Sequence, residues 1–493
     1  MKILTASQIR EWDAHTIANE PIASLDLMER AAQAFVRCFT DRFVNTRPVL
    51  VICGKGNNGG DGLAIARILS EKSFNVKVCI LEYTTLGSAD FEENLIRLGN
   101  HLQPYYITQL SDLPEIDSAA VIIDALLGSG LSRPVSGMPE ETIRLINSLP
   151  NKVVSVDIAS GLYTDRANGE TDSILETDYT ITFQLPKLAF MLPKNAKFTG
   201  EWHSVEIGLS ETFLRNAPTQ LFYTDKAAAE TLIRTRGKFS HKGTFGHALL
   251  IAGSYGKMGA AILCARSCLR SGVGLLTIHI PECGYDIAQV AAPEAMVIAD
   301  NEQKYITELP DLKSYSAIGI GPGIGKEPLT ARILDNLLTS ANAPLVIDAD
   351  ALNLISENNA LLKKLPPNTI LTPHPKEFER LAGKSENEYE RLALGQNFAR
   401  KHQVIICLKG ANTAVILPNG DVHFNSTGNP GMSTGGTGDV LTGVIAALLA
   451  QGYEPHEAAI FGVYQHGLAG DRAAEIKGQS ALIASDVIDQ LKW

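Results

Sequence analysis

The feature that most constrains this chain is an apolar run, Val49–Cys53, that passes straight into Gly54-Lys55-Gly56-Asn57-Asn58-Gly59-Gly60-Asp61-Gly62 and then into LAIARIL. A short, continuously apolar stretch bounded by turn residues reads as a strand buried on both faces, the mark of a parallel sheet with helices above and below. Five glycines in nine residues exceed what a tight turn needs. They let a backbone approach a ligand closely, and the helix that follows offers free N–H groups and its positive dipole end. No Lys-Ser/Thr pair follows the last glycine, so this is not a Walker A loop. Nor does the spacing match a dinucleotide fingerprint with its ribose-binding acid.

Strand–loop–helix units of this kind recur. NVKVCILEY, AAVIIDALLG, KVVSVDIASG and DYTITFQLPK follow, with a helical stretch near Asp90–Leu98. The pattern then fades over residues 209–235 and restarts with HALLIAGS, GAAILCARSCLRSG, GLLTIHIP, AIGIGPGIG, PLVIDADALN, TILTPHP and VIICLKGAN. A chain of 493 residues has room for two to four domains at about 100–200 residues each. The restart favours two α/β domains, expected over 1–215 and 225–493, each with parallel strands and helices on both faces. At the N-terminus, Thr5 and Gln8 have the spacing of a capping box.

The carboxyl ends of parallel strands form the ligand crevice of such folds. Asp124 ends VIID, and Asp157 and Ser160 lie in VVSVDIASG. Asn58, Asp124 and Ser160 would offer amide, carboxylate and hydroxyl oxygens there, which suits a hard cation; helix capping is an equal alternative. Gly128 and Gly130 give DALLGSGLSRP the character of a second ligand loop.

In the second half, Asn429–Asp439 (NPGMSTGGTGD) precedes the apolar run VLTGVIAALLA. Glycines and small hydroxyls at a helix start make an anion hole, and Asp439 at its mouth could deprotonate an alcohol that attacks a phosphoryl group. A helix-capping aspartate is the plainer alternative, but it leaves the preceding glycines unexplained. Lys409-Gly410-Ala411-Asn412-Thr413, after the strand VIICL, could hold nucleotide phosphates.

GNNGGDG, DALLGSGLSRP and SVDIASG in this order resemble the NAD(P)H-hydrate epimerase family over about residues 1–210. Ala32 stands where that family more commonly has glycine. The resemblance implies a Rossmann-like three-layer sandwich that inverts the hydroxyl-bearing C6 of hydrated nicotinamide dinucleotides. It implies a bound potassium ion held by Asn58, Asp124 and Ser160. Substrate contacts are implied from Asn57, Asn58, Gly59, Gly60 and Asp61, from Gly128, Ser129, Gly130, Leu131, Ser132, Arg133 and Pro134, and from Asp157, which is also the expected proton shuttle.

SHKGTFGHALLIAGS, GPGIG (Gly321–Gly325), DADALN (Asp348–Asn353), LTPHPKEF (Leu371–Phe378) and GTGD resemble the ADP/ATP-dependent NAD(P)H-hydrate dehydratase family over about 235–493. That family is a branch of the ribokinase-like α/β fold. The resemblance implies hydrate contacts from Ala260, Gly323, His374 and Asp439, with Asp439 catalytic. It implies a nucleotide site at Lys409, Gly410, Ala411, Asn412, Thr413 and Gly438, and a magnesium ion accompanying ADP or ATP. Outside this context, a lone histidine before proline would read as a packed loop residue. Together the halves imply repair of NADHX and NADPHX: epimerisation, then nucleotide-driven dehydration of the S form. The rival is a small-molecule kinase with a non-catalytic N-terminal module.

Composition narrows the partners to small molecules. The net charge of −11 is not that of a nucleic-acid binder, and the basic cluster Arg234, Arg236, Lys238, His241 and Lys242 is too short to change this. The longest near-apolar run, Val440–Ala450, falls short of the ~20 residues a bilayer requires. No signal-peptide core follows the N-terminus, and the seven cysteines form no CxxC pair. A cytoplasmic homo-oligomer with reduced thiols and no membrane contact is expected.

Overall fold

The opening helix, Ala6–Asn19, starts on the capping box: Thr5 Oγ1 accepts from Gln8 N, and Gln8 Oε1 accepts from Thr5 N at 3.0 Å. The computed structural model describes residues 1–493, which divide into two compact units, Lys2–Thr219 and Gln220–Trp493, with Met1 grouped in the second.

The first unit holds β1 (Val49–Cys53), β2 (Val76–Leu81), β3 (Tyr105–Ile107), β4 (Val121–Ala125), β5 (Lys152–Val156), β6 (Tyr179–Phe183) and β7 (Glu201–Val205). All neighbours run parallel, in the order β3-β2-β1-β4-β5-β6-β7. The unbroken apolar character of β1 follows from its place. Val49, Val51 and Cys53 pack with Phe35, Phe39 and Leu63 on one face of the sheet, and Leu50 and Ile52 with Ile122 and Ile143 on the other. Alternate residues of a strand face opposite ways, so a central strand under two layers must be apolar throughout. Each such side chain contributes about 1.5–3 kcal/mol relative to exposure. The strand order reverses between β1 and β4, and the loops after these two strands open there.

The second unit holds β8 (Leu221–Thr224), β9 (His247–Ile251), β10 (Leu275–Ile280), β11 (Met296–Ala299), β12 (Ala317–Ile320), β13 (Leu345–Ile347), β14 (Ile370–Leu371), β15 (Ile405–Leu408), β16 (Ala414–Ile416) and β17 (Val422–Asn425). Their order is β11-β10-β9-β12-β13-β14-β15-β16-β17-β8. The sheet is not wholly parallel as expected: β16 is antiparallel to both β15 and β17. A tight turn makes this possible, with Gly420 N donating to Leu417 O at 2.9 Å and Leu417 N to Asp421 O at 2.8 Å. Asn419-Gly420 is a strong hairpin signal that alternation alone passes over. Strand β8, which the expected boundaries leave outside both domains, pairs with β17.

VLTGVIAALLA belongs to the helix Thr437–Ala450, buried from Val440 onward; no helix of the chain is long and apolar enough to cross a membrane. Gly443 lets this helix approach Met258–Arg270, since a Cβ there would collide with the Cys264 carbonyl and Ser267 Oγ. All seven cysteines are free, and Cys53, Cys79, Cys264, Cys268 and Cys407 are buried. Two members of the basic cluster have local work: Arg234 lies over Tyr453 at 4.0 Å and pairs with Glu457 at 2.8 Å, and Arg236 lies over Phe245 at 3.9 Å.

Candidate active sites

In the first unit the loops after β1, β4 and β5 surround a cavity of about 510 Å³. Asn57, Asn58, Asp61, Gly128 to Arg133 and Asp157 line it, so three separate motifs meet in one place. Gly59, Gly60 and Pro134 do not line it. The two glycines serve packing: a Cβ at Gly59 would strike the Gly54 carbonyl, and one at Gly60 would lie 2.9 Å from Met28 Sδ.

Asp124 and Ser160 do not line this cavity; both are fully buried, bonded to Leu126 and Leu127, which do line it. Asp124 Oδ2 accepts from Ser155 Oγ at 2.9 Å and Ser160 N at 2.8 Å; Oδ1 accepts from Ser160 Oγ at 2.5 Å and Leu126 N at 3.2 Å. Burial pushes this carboxyl above its ordinary value, and the hydrogen bonds from Ser160, Leu126 and Ser155 oppose the shift. Ser160 Oγ in turn accepts from Leu127 N at 2.8 Å, tying the loop after β4 to the loop after β5. Asn58 packs against that loop, 3.0 Å from where a Cβ of Gly128 would stand. Its buried Nδ2 has no partner. An amide orientation is fixed only by its hydrogen bonds, so the reversed amide, presenting its oxygen at that point, is equally available. An oxygen there would be a hard donor of the same type as those of Asp124 and Ser160, the type a monovalent cation takes.

Asp157 has φ +67°, a conformation uncommon for a side-chain-bearing residue and often found at functional positions. Its Oδ1 accepts from Lys187 Nζ at 2.5 Å, Phe183 N at 3.0 Å and Thr182 Oγ1 at 3.1 Å. Lys187 is fully buried and also donates to Thr182 Oγ1 at 2.5 Å. The cavity wall carries two further carboxyls. Burial raises Asp13 to about 6, with Asp157 adding to the shift and Lys187 opposing it. Burial, then the charges of Asp157, Asp13 and Asp90, push Asp61 well up. Lys187 and Asp13 lie outside the sequence-predicted set. Each is a single charged residue in an otherwise ordinary segment, and only the fold brings it to Asp157.

The second unit has a cavity of about 740 Å³. Lys409, Gly410, Ala411, Thr413 and Gly438 line it together with His374, whereas Asn412 and Asp439 do not. The KGANT turn is closed by Thr413 Oγ1, which accepts from Gly410 N at 3.2 Å and donates to Gly410 O at 3.1 Å. Asp471 holds the opposite wall, accepting from Gly428 N and Asn429 Nδ2 at 2.9 Å each.

Asp439 is not a helix cap. The helix begins at Thr437 with Gly436 as its N-cap, at φ +93°, and Asp439 is its third residue. Burial raises its carboxyl to about 6; Asp348 adds to the shift, Lys409 opposes it, and Asp350 adds a further increment. The buried Asp348 accepts from Lys409 Nζ and Thr442 Oγ1 at 3.0 Å each. A Cβ at Gly438 would lie 3.3 Å from Lys409 Nζ. Asp348, Lys409, Gly438 and Thr442 are therefore one cluster at the start of this helix. Asp348, absent from the predicted set, carried the same signal as Asp124: an aspartate ending an apolar strand.

His374 is not the packed loop residue of its plainer reading but the N-cap of a helix, with its side chain partly exposed. Its Nδ1 caps the helix Pro375–Ala382, accepting from Lys376 N at 3.1 Å and Glu377 N at 3.3 Å. That leaves the ring proton on Nε2, 3.4 Å from Glu377 Oε1. The ring also lines the cavity. Ala260 and Gly323 adjoin each other, a Cβ at Gly323 lying 3.2 Å from that of Ala260, but neither lines this cavity. The GPGIG loop is tied to Asp350, whose Oδ2 accepts from Gly325 N at 2.9 Å.

Two family descriptions match the chain: YjeF-related protein N-terminus over residues 24–189 and NAD(P)H-hydrate dehydratase over 248–492. The bifunctional NAD(P)H-hydrate repair enzyme Nnr of Moorella thermoacetica is 34% identical over 100% of this chain and 96% of its own length. Its counterpart in Escherichia coli K12 is 32% identical over 99% and 92% respectively. Among solved structures, the ADP/ATP-dependent NAD(P)H-hydrate dehydratase of Bacillus subtilis, co-crystallised with ATP/Mg2+, is 33% identical over 55% of this chain and 96% of its own, with a TM-score of 0.49. Full-length likeness across both units, each with its own carboxylate-bearing cluster, means that the chain belongs to the bifunctional NAD(P)H-hydrate repair enzymes.

Proposed function

We propose that the first unit interconverts the R and S epimers of NADHX and NADPHX, and that the second dehydrates the S epimer at the expense of ADP or ATP. The observation that carries this reading is the setting of Asp439: a carboxyl raised to about 6 at a helix start, beside Gly438 and the Lys409–Asp348 pair.

In the first unit, C6 of the hydrate carries a hydroxyl beside a ring nitrogen. Proton transfer to that hydroxyl lets it leave as water, the nitrogen stabilises the resulting cation, and water returns on either face. Asp157 is the proton shuttle, held in place by Lys187. The loops Asn57–Asp61 and Gly128–Pro134 position the dinucleotide. Asn58, Asp124 and Ser160 would hold potassium, whose positive charge helps fix the loops that meet there.

In the second unit, Asp439 removes the proton of the C6 hydroxyl as its oxygen attacks the terminal phosphate. Lys409 and the backbone amides near Gly438 stabilise the transferred charge. The phosphorylated carbon then expels phosphate, and loss of a neighbouring proton restores the dihydronicotinamide. Ala260, Gly323 and His374 receive the hydrate, while Lys409–Thr413 and Gly438 receive the nucleotide. Magnesium would be carried on the nucleotide phosphates, where it would neutralise charge. This reading makes the protein a cytoplasmic enzyme of small molecules.

The test is to supply purified R and S hydrates with and without ADP or ATP, following dihydronicotinamide absorbance. Equilibration of epimers without nucleotide, and full recovery of absorbance with it, are expected. A stable phosphorylated product would replace this reading with a kinase.

A further inference from the structure

The first cavity has an electrostatic problem that its named residues do not solve. Asp13, Asp61 and Asp157 line it, and the buried Lys187 is committed to Asp157. A dinucleotide brings phosphate charge, and these carboxyls, ionised or held neutral by burial, offer it no compensating positive charge. Some part of the wall must answer it.

Two cations line the cavity: Arg10, from the helix Ala6–Asn19, and Arg133, from the loop after β4. Both are exposed, and neither makes a hydrogen bond or ion pair within the chain. Four other arginines of the same unit are engaged, Arg30 with Glu20, Arg42 with Glu201, Arg67 with Glu29 and Arg144 with Glu140; Arg37, Arg47 and Arg215 are not, but none of these three lines the cavity. Arg10 reaches the second ligand loop, its Nη1 lying 3.9 Å from where a Cβ of Gly130 would stand. Arg166 steadies that loop from outside by donating to Ser132 O at 2.6 Å. The loop is thus held in place while the two guanidiniums on the cavity wall stay uncommitted.

We propose that Arg10, acting with Arg133, binds the phosphates of the dinucleotide, so that the nicotinamide end is directed toward Asp157. A guanidinium offers two parallel N–H donors to a phosphate, a geometry a lysine ammonium does not reproduce. The assignment rests on the epimerase reading of this unit. The phosphate in question is either the pyrophosphate, common to NADHX and NADPHX, or the 2′-phosphate of NADPHX alone.

The experiment measures epimerisation of R-NADHX and R-NADPHX by the full chain at several ionic strengths, with R10Q, R10K and R10Q/R133Q. R10Q is expected to raise KM roughly tenfold while kcat changes less than about twofold, with R10K recovering part of the loss. It is also expected to flatten the rise of KM with salt, because one of the screened charges is gone. An effect on both substrates assigns the pyrophosphate, and an effect on NADPHX alone assigns the 2′-phosphate. Unchanged KM and salt dependence in R10Q/R133Q for both substrates overturns the proposal. A loss confined to kcat also overturns it, since Arg10 would then act on the order of the cavity. A wild-type chain that equilibrates neither substrate overturns the epimerase reading instead, a result distinct from either.

Discussion

Lys187, fully buried, places its ammonium 2.5 Å from Asp157 Oδ1, and the two other donors to that carboxylate, Phe183 N and Thr182 Oγ1, address the same oxygen. One end of the carboxylate is therefore fixed while the residue as a whole lines the cavity. Lys187→Met removes the charge but keeps the length of the side chain. It strands Asp157 beside an apolar group, and breaking a buried pair in this way costs about 3–5 kcal/mol. Epimerisation is expected to fall about a hundredfold or more, because the carboxylate is no longer held at one end. Epimerisation rates and thermal melts of the variant, measured together, check this. A fully folded variant with an unchanged rate would make Lys187 a folding element alone.

Asp13 gives a stability effect of definite sign. Its carboxyl is raised from 3.8 to about 6, first by burial and then by the charge of Asp157. Between these two values the folded chain holds a proton that the unfolded chain has lost. Stability therefore falls as pH rises through that window, and the penalty is complete above about 6. Asp13→Asn never ionises, so its stability should not show this fall. At pH 7 the variant is expected to be more stable by about 1–2 kcal/mol, after allowance for solvent screening. Thermal melts of wild type and variant at pH 4 and pH 7 measure it: the two should lie close at pH 4 and separate at pH 7.

These residues mark where sequence reasoning ends. The strands of both sheets that carry ligand loops announce themselves, because a central strand covered on both faces has no freedom to be polar; Val49–Cys53 shows why. The loops are legible because glycines cluster where backbone must pass close to backbone, as Gly59 does to Gly54. Lys187 and Asp13 are different. Neither belongs to a pattern, and their importance comes from contacts made only after folding. Asp348 lies between these cases: its strand-end position was visible, but its pairing with Lys409 was not. The hairpin through β16 was missed because three-residue strands are too short to show alternation. His374 has two settings that its sequence context does not separate: it caps its own helix and it lines the cavity.

The proposed potassium site leads to a prediction confined to the first unit. Asp124 engages Ser160 through both the backbone N–H and the hydroxyl, and Ser160 holds Leu127. Exchanging potassium for a large organic cation such as choline should slow epimerisation several-fold and leave dehydration of pure S hydrate unaltered. Ser160→Ala removes one oxygen of the donor set and the hydroxyl that bonds Asp124. It should lower epimerisation at saturating potassium by about tenfold and weaken the response to added potassium. Epimerisation rates titrated against potassium chloride at constant ionic strength test both. A rate indifferent to potassium would remove the ion from the assignment.

Asp439 offers the sharpest separation of the two activities. As the proposed base for the C6 hydroxyl proton it must be ionised, and burial with the charge of Asp348 raises its carboxyl to about 6. Dehydration should therefore decline about tenfold for each pH unit below about 6 and level off above it. Lys409 opposes that rise, so Lys409→Met, which also leaves Asp348 without its ammonium partner, should move the limb to higher pH as well as weaken nucleotide binding. Asp439→Asn should lower dehydration by about a thousandfold or more, within the usual range for loss of a general base. Epimerisation by the same variant should be unchanged, because every residue proposed for it lies in the first unit. Nucleotide binding by the same preparation, retained in the variant, excludes misfolding of the second unit as the cause. Dehydration that survives in Asp439→Asn would transfer the role of base to another carboxyl, with Asp348 the first to test because it already sits against Lys409.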